Sequence, residues 1–186
     1  MKNYFLPVWI SCITLSSFGQ TENNSKGLGF ALNTSVNGEL SPVKLVPSVV
    51  YFKNKNQFEL GVGFNPFGRY SQKLISTEFN YKYFPNGYDK KFNMFLIAHA
   101  SYVKSIGSTY YTTIYHYIFL TGGYGFELKP FKNAYIGTNV SLGAFTYGKQ
   151  SEIPYQAFQS QRLFEELGTT LSFQLSFGYR LVQSNL

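Results

Sequence analysis

The clearest pattern in the chain is a strict alternation of large and small residues near its C-terminus. Between Leu167 and Leu181, one face carries Leu, Phe, Tyr and one Thr, whereas the other carries Gly, Ser, Thr, Gln and Arg180. Because successive side chains of a strand point to opposite faces, this alternation predicts one long two-faced strand. A bulky apolar face opposite a small polar face is typical of a transmembrane β-barrel wall.

The same period-two pattern occurs seven more times along the chain, which predicts eight strands in all. They cover about residues 27–37, 42–53, 57–65, 74–84, 92–103, 115–128, 134–147 and 167–181. The fifth strand is the least regular, because Phe95, Leu96 and Ile97 put apolar groups on both faces. Tight turns (54–56, 85–87, 129–133) alternate with longer loops (65–73, 104–114, 148–166). We therefore predict an all-β fold, an eight-stranded antiparallel up-and-down transmembrane β-barrel.

A soluble ligand-binding barrel is the main structural alternative. Such a barrel carries aliphatic residues inside and charges outside. Here the face opposite the large residues is mostly Gly, Ser, Thr and Asn, and charged residues make up only 13% of the chain. An ordinary soluble domain has about 25%. The pattern favours the membrane barrel, because the soluble model would leave the large apolar face in water.

The first 19 residues have the features of a secretory signal peptide. Lys2 precedes a short apolar stretch over residues 4–15, and Ser17 and Gly19 place small residues before a predicted cleavage at Gln20. This predicts a signal peptide over residues 1–19 and an outer-membrane barrel domain over 20–186. The competing interpretation is a lipoprotein site at Cys12. Because Cys12 is the only cysteine, the exported domain would have neither disulfides nor thiol catalysis.

Aromatic residues make up 19% of the chain, and several lie near the tight-turn ends of their predicted strands. Amphipathic rings favour the membrane–water interface, so we predict an aromatic girdle at this level. Its predicted members are Tyr51, Phe58, Tyr81, Tyr83, Phe126, Tyr135 and Tyr179.

Ionisable residues on the polar face form a second group near the same end of the barrel. Because buried charges need partners, we predict a lumen charge network in which two basic and two acidic side chains match each other. Its predicted members are Glu59, Lys82, Glu127 and Arg180. The main expectation is that the network plugs the lumen, since eight strands enclose just enough space for side chains. A gated or proton-conducting pore is the alternative.

His99 and Ser101 are the one pair on a shared strand face that resembles a catalytic site. A histidine beside a serine hydroxyl can activate a nucleophile if an acid orients the imidazole. The sequence resembles the His-x-Ser motif of outer-membrane lipid A deacylases. Tyr102 and Val103 follow where that family has Asn-Ala, and no acid follows between Lys104 and Phe126. The sequence predicts no metal site and no cofactor.

The signal peptide, the eight strands and the segment 177–181 (Phe-Gly-Tyr-Arg-Leu) resemble small outer-membrane barrels of the OmpA-like transmembrane family, in the form found in Bacteroidota. The resemblance implies a monomer in the outer membrane of a Gram-negative cell. It also implies contact with outer-membrane lipid and lipopolysaccharide, and with the barrel-assembly machinery during insertion. In this family the last strand usually ends on an aromatic residue. Here residues 182–186 follow, so Tyr179 or Leu181 would serve as the insertion signal.

The sequence therefore predicts a non-enzymatic outer-membrane barrel whose surface loops have structural or binding roles. The loop over 148–166, with Tyr155, Phe158, Arg162 and Phe164, is the main candidate surface. The alternative is a lipid-modifying hydrolase that uses His99 and Ser101. The formal charge of +7 would suit a nucleic-acid partner, but the lysines are scattered along the sequence and form no basic cluster. The sequence therefore predicts no nucleic-acid binding.

Overall fold

The structure is a computed structural model that describes residues 26–40, 43–66, 72–108, 112–151 and 160–183. The predicted signal peptide, Cys12, Tyr155 and Phe158 lie outside these ranges. Within them, no helix is both long and apolar enough to cross a bilayer.

Eight antiparallel strands form a closed barrel in which each strand pairs with its sequence neighbours. Pairing of the first strand with the last closes the sheet, from Lys26 opposite Gln183 to Asn37 opposite Ser172. The predicted fold class is confirmed. The strands are β1 (Lys26–Asn37), β2 (Lys44–Lys53), β3 (Asn56–Phe64), β4 (Gln72–Tyr83), β5 (Phe92–Ser108), β6 (Thr112–Leu128), β7 (Ala134–Ser151) and β8 (Leu167–Gln183).

One predicted loop is wrong. The chain was expected to leave the sheet over residues 104–114, but β5 and β6 stay paired up to Ser108 and Thr112. Strand β7 likewise continues to Ser151, which pairs with Thr113. Cross-strand pairs thus extend the sheet through residues in which apolar and polar side chains do not alternate, so the sequence pattern does not predict these strand ends. As a result, β5, β6 and β7 form a tall wall at the long-loop end.

The tight-turn end is closed by short connections. Lys53 pairs with Asn56, so Asn54 and Lys55 form a two-residue hairpin turn. Asn54 adopts a φ of 55°, a conformation that this residue tolerates and that such hairpins require. In the next turn, the Gly87 N–H donates to the Phe84 carbonyl at 3.1 Å.

The outside of the barrel is apolar on every strand. Leu60 on β3, Leu120 on β6 and Leu171 on β8 are 60%, 61% and 58% exposed. On β5, the ambiguous stretch resolves with Leu96 outside and with Phe95 and Ile97 buried in the lumen. The predicted inside-out arrangement of the faces therefore holds around the whole barrel.

Four large rings fit in the lumen because each lies opposite a glycine on the neighbouring strand. Four such pairs occur in the strand registers: Phe52 with Gly27, Phe95 with Gly125, Tyr135 with Gly178, and Phe145 with Gly168. A Cβ atom on Gly178 would lie 2.2 Å from the Tyr135 ring, and one on Gly168 would lie 2.3 Å from the Phe145 ring. These glycines thus provide the space that the rings occupy.

Candidate functional site

The four charged residues of the predicted lumen charge network lie together and form two ion pairs. Arg180 makes a two-pronged contact with Glu127, with both nitrogen–oxygen distances at 2.6 Å. Lys82 Nζ donates to Glu59 Oε1 at 2.6 Å. Gln57 joins the two pairs, because its Oε1 accepts from Arg180 Nε at 2.9 Å and its Nε2 donates to Glu59 Oε1 at 2.6 Å. All five side chains are buried, so the network fills the lumen at this level.

Aromatic rings surround the Arg180 guanidinium. Its Cζ lies 4.1 Å from the ring centre of Tyr135, 5.0 Å from that of Tyr88 and 5.4 Å from that of Phe84. These distances are within the range of cation–π attraction, which is strongest where water is excluded. The charge of Arg180 also affects Lys129 in the turn between β6 and β7. Burial is the main cause that lowers the pKa of Lys129, and repulsion from Arg180 is the second.

The assignment of Tyr135 to the aromatic girdle is wrong. Its side chain is 1% exposed and points into the lumen, because it shares its face of β7 with Gly137 and Asn139. The other six predicted girdle residues face outward. Three of them lie in register on adjacent strands, with ring centres 6.4 Å apart for Tyr51 and Phe58 and 5.2 Å apart for Phe58 and Tyr81. The remaining outward members are Tyr83, Phe126 and Tyr179.

Sequence reasoning missed a second buried cluster, which lies nearer the long-loop end. Lys44 Nζ donates to Glu78 Oε1 at 2.5 Å, and Ser76 donates to the same oxygen at 3.0 Å. The second oxygen of Glu78 lies 3.5 Å from His99 Nε2, and His99 Nδ1 lies 3.3 Å from Thr121 Oγ1. Strand parity could have revealed it, since Lys44 and Glu78 both occupy lumen positions of their strands.

The arrangement of His99 and Ser101 does not suit catalysis on a membrane lipid. Both side chains point into the lumen and are 9% and 5% exposed. Ser101 Oγ has no hydrogen-bond partner among the described residues, so His99 does not hold it as a nucleophile. The closed sheet separates both groups from the outside of the barrel.

Apolar clusters pack inside the lumen towards both ends of the barrel. At the tight-turn end Phe52, Phe84 and Tyr88 pack together, and Tyr135 belongs to the same cluster. At the other end the cluster contains Leu40, Leu74, Val103, Phe119 and Phe145. Between them, a cavity of about 10 Å³ lies among polar side chains that include His99 and Gln174. That volume suffices for roughly one water molecule.

The tall wall carries a ladder of stacked rings on its inner face. Ring centres are 5.9 Å apart for Tyr115 and Tyr117, 5.7 Å for Tyr117 and Tyr147, and 5.6 Å for Phe119 and Phe145. The hydroxyl of Tyr147 donates to Glu166 at 2.9 Å. Among the described residues, no group of three or more His, Cys, Asp or Glu side chains is placed to hold a metal ion.

A solved structure has the same fold. The N-terminal β-barrel domain of OprF from Pseudomonas aeruginosa matches with a TM-score of 0.56 and 11% identity, over 84% of this chain and 98% of that one. Neisserial surface protein A (NspA) matches with a TM-score of 0.45 and 12% identity, over 84% and 96%. No protein-family model matches the sequence, and neither does any curated protein. The chain thus has the fold of a small OmpA-like outer-membrane barrel.

Proposed function

We propose that the protein is an integral outer-membrane barrel without enzymatic activity, whose closed lumen serves stability and whose long-loop end faces the cell exterior. The observation that supports this most strongly is the distribution of polarity. Large apolar side chains cover the outside of all eight strands, while charged side chains inside are paired with each other. Water would disfavour such an exterior, whereas a bilayer matches it.

Cell fractionation tests the proposed location. Membranes are separated on a density gradient and washed with alkaline carbonate, which releases peripheral but not integral proteins. We expect the protein to remain in the outer-membrane fraction after the wash. Its recovery in the soluble periplasmic fraction would contradict the proposal and favour a soluble barrel.

The tall wall is the part of the barrel best suited to a surface role. It raises Tyr115, Tyr117 and Tyr147 beyond the shorter strands β1 to β3, with Arg162 and Phe164 in the adjoining segment after β7. Phenol rings offer an apolar face and a hydroxyl, which suits contact with an external partner. We assign surface binding to this wall together with the loop that follows it.

A variant without the serine hydroxyl tests whether the barrel modifies lipid. We propose that His99 and Ser101 have structural roles, because both are enclosed in the lumen. Replacing Ser101 with Ala should therefore leave the mass spectrum of lipid A unchanged relative to cells that produce the unmodified protein. Loss of a deacylated lipid A species in the Ser101→Ala cells alone would support the hydrolase instead.

A further inference from the structure

The fold gathers lysines that are scattered in the sequence. Three basic and three acidic side chains balance each other in the lumen: Lys44, Lys82 and Arg180 against Glu59, Glu78 and Glu127. At the tight-turn end, by contrast, the described residues include seven lysines and a single acid, Asp89. These seven lysines, which we term the lysine collar, are Lys26, Lys53, Lys55, Lys90, Lys91, Lys129 and Lys132.

Among the described residues, most of the positive charge of the collar has no acidic partner. Lys129 lies 4.0 Å from Asp89, and in the described part of the chain the other six lysines form no ion pair. Two of them even oppose each other, because Lys26 and Lys53 are direct partners in the β1–β2 register. Like charges at facing positions of a sheet are destabilising. An external anion would remove this repulsion.

The long-loop end differs in its charge balance. Its described basic residues are Lys73, Lys104, Lys149 and Arg162, and its described acids are Glu39, Glu165 and Glu166. Among the described residues, the excess of positive charge therefore lies mainly at the tight-turn end.

Two lysines of the collar lie at the edge of the apolar exterior. Lys26 and Lys53 share the outward faces of their strands with Leu28 and Tyr51, and both are exposed. Lysine side chains at such an edge can extend along apolar surface and place their ammonium groups among lipid headgroups. The other five lysines of the collar lie in the turns that join these strand ends.

We propose that the lysine collar binds the anionic headgroups of phospholipids in the leaflet that surrounds the tight-turn end. Each headgroup phosphate would lie between neighbouring ammonium groups, as at the Lys26–Lys53 pair. This site rests on the proposed function, since it requires the barrel to span a bilayer. A lysine near an anionic surface contributes up to about a fivefold change in binding.

Spin-labelled lipids measure this selectivity directly. The protein, purified from membranes, is reconstituted in phosphatidylcholine vesicles that contain traces of labelled phosphatidylglycerol or labelled phosphatidylcholine. The fraction of motionally restricted label gives the relative association constant. We expect a severalfold preference for phosphatidylglycerol that is lost in high salt, because salt screens exposed charges.

Two matched variants locate the site. Replacing Lys53, Lys55 and Lys132 with Gln should abolish most of the preference, whereas replacing Lys73, Lys104 and Arg162 with Gln should leave most of it. Equal effects of the two variants, or no lipid preference in the unmodified protein, would contradict lipid binding by the collar. Neither result would contradict the proposal that the barrel spans a membrane. Failure of the unmodified protein to enter vesicles would contradict the proposed function itself. Binding of a soluble polyanion to the collar, without any lipid selectivity, would also overturn the proposal and would indicate a different partner.

Discussion

Arg180 lies at the centre of the lumen charge network. It binds a carboxylate with two nitrogens, contacts an amide oxygen and lies among three rings. Lysine could not replace it, because an ammonium group lacks the planar fork that matches a carboxylate. Its strand position is predictable from parity, but its partners depend on how the closed barrel brings β3, β6 and β8 together.

Replacing Glu127 with Gln leaves the buried guanidinium of Arg180 without its carboxylate. Removing one member of a buried ion pair typically costs about 3–5 kcal/mol of folding free energy. We expect a loss near the lower value, because Gln retains one acceptor, and we would measure it by urea unfolding in vesicles. Glu39→Gln is the control, since Glu39 is exposed. Similar losses for the two variants would show that the pair does not stabilise the barrel.

Gly178 is a position where a single methyl group matters. Because its Cβ would lie 2.2 Å from the Tyr135 ring, Gly178→Ala must displace a ring that contacts Arg180. Overpacking of this kind typically costs about 1–3 kcal/mol. Gly122→Ala is the matched control, since the nearest atom there is 3.7 Å away. Unfolding midpoints that shift equally in the two variants would contradict this interpretation of the lumen.

The error over Tyr135 shows how far pattern reasoning reaches for a single residue. The next residue, Ile136, faces outward and is 40% exposed, and period two then requires Tyr135 to point inward. Its position close to a tight turn and its aromatic character suggested the girdle. Parity was the stronger signal, because a sheet cannot place adjacent side chains on one face.

At the scale of elements, the connection between β4 and β5 is more than a turn. Phe84 and Tyr88 fold back under the barrel, where Tyr88 packs against Phe52 at 5.2 Å between ring centres. The sequence predicts the turn from Pro85, Asn86 and Gly87. It does not predict that Tyr88 packs under the barrel, because that contact depends on Phe52, a ring from the β2–β3 hairpin.

Tyr88→Ala tests whether this connection contributes to the stability of the barrel. Truncating a buried aromatic side chain costs about 3–5 kcal/mol, so the urea midpoint should fall clearly. Phe131→Ala, in the β6–β7 turn, is the control because Phe131 is 74% exposed. We expect a change of about 0.5 kcal/mol there. An unchanged midpoint for Tyr88→Ala would show that the packing of Tyr88 does not stabilise the barrel.

The sequence predicts the eight strands well, but it does not predict where β5, β6 and β7 finish at the long-loop end. In the lower and middle barrel, one face meets lipid and the other fills the lumen, so polarity alternates cleanly along the sequence. Towards the long-loop end the outward residues are no longer all apolar, since Lys104 is exposed while Ser105 beside it is buried. Pairing between β5 and β6 then continues without a sequence signal.

At the scale of the whole molecule, the barrel separates its charges by location. The lumen is balanced, the long-loop end is nearly so, and the tight-turn end carries the excess. Composition alone reports only the sum of +7. The distribution requires the strand order, since lysines far apart in sequence meet at one rim only once the barrel closes.

Heat-modifiability of the protein in purified outer membranes tests the central claim most directly. The account predicts that the unboiled protein keeps a closed barrel in SDS and migrates differently from the boiled protein. Both forms should come from the membrane fraction. A protein that shows no shift on boiling and is found in the soluble periplasm would contradict the account, because a closed barrel with this apolar exterior belongs in a bilayer.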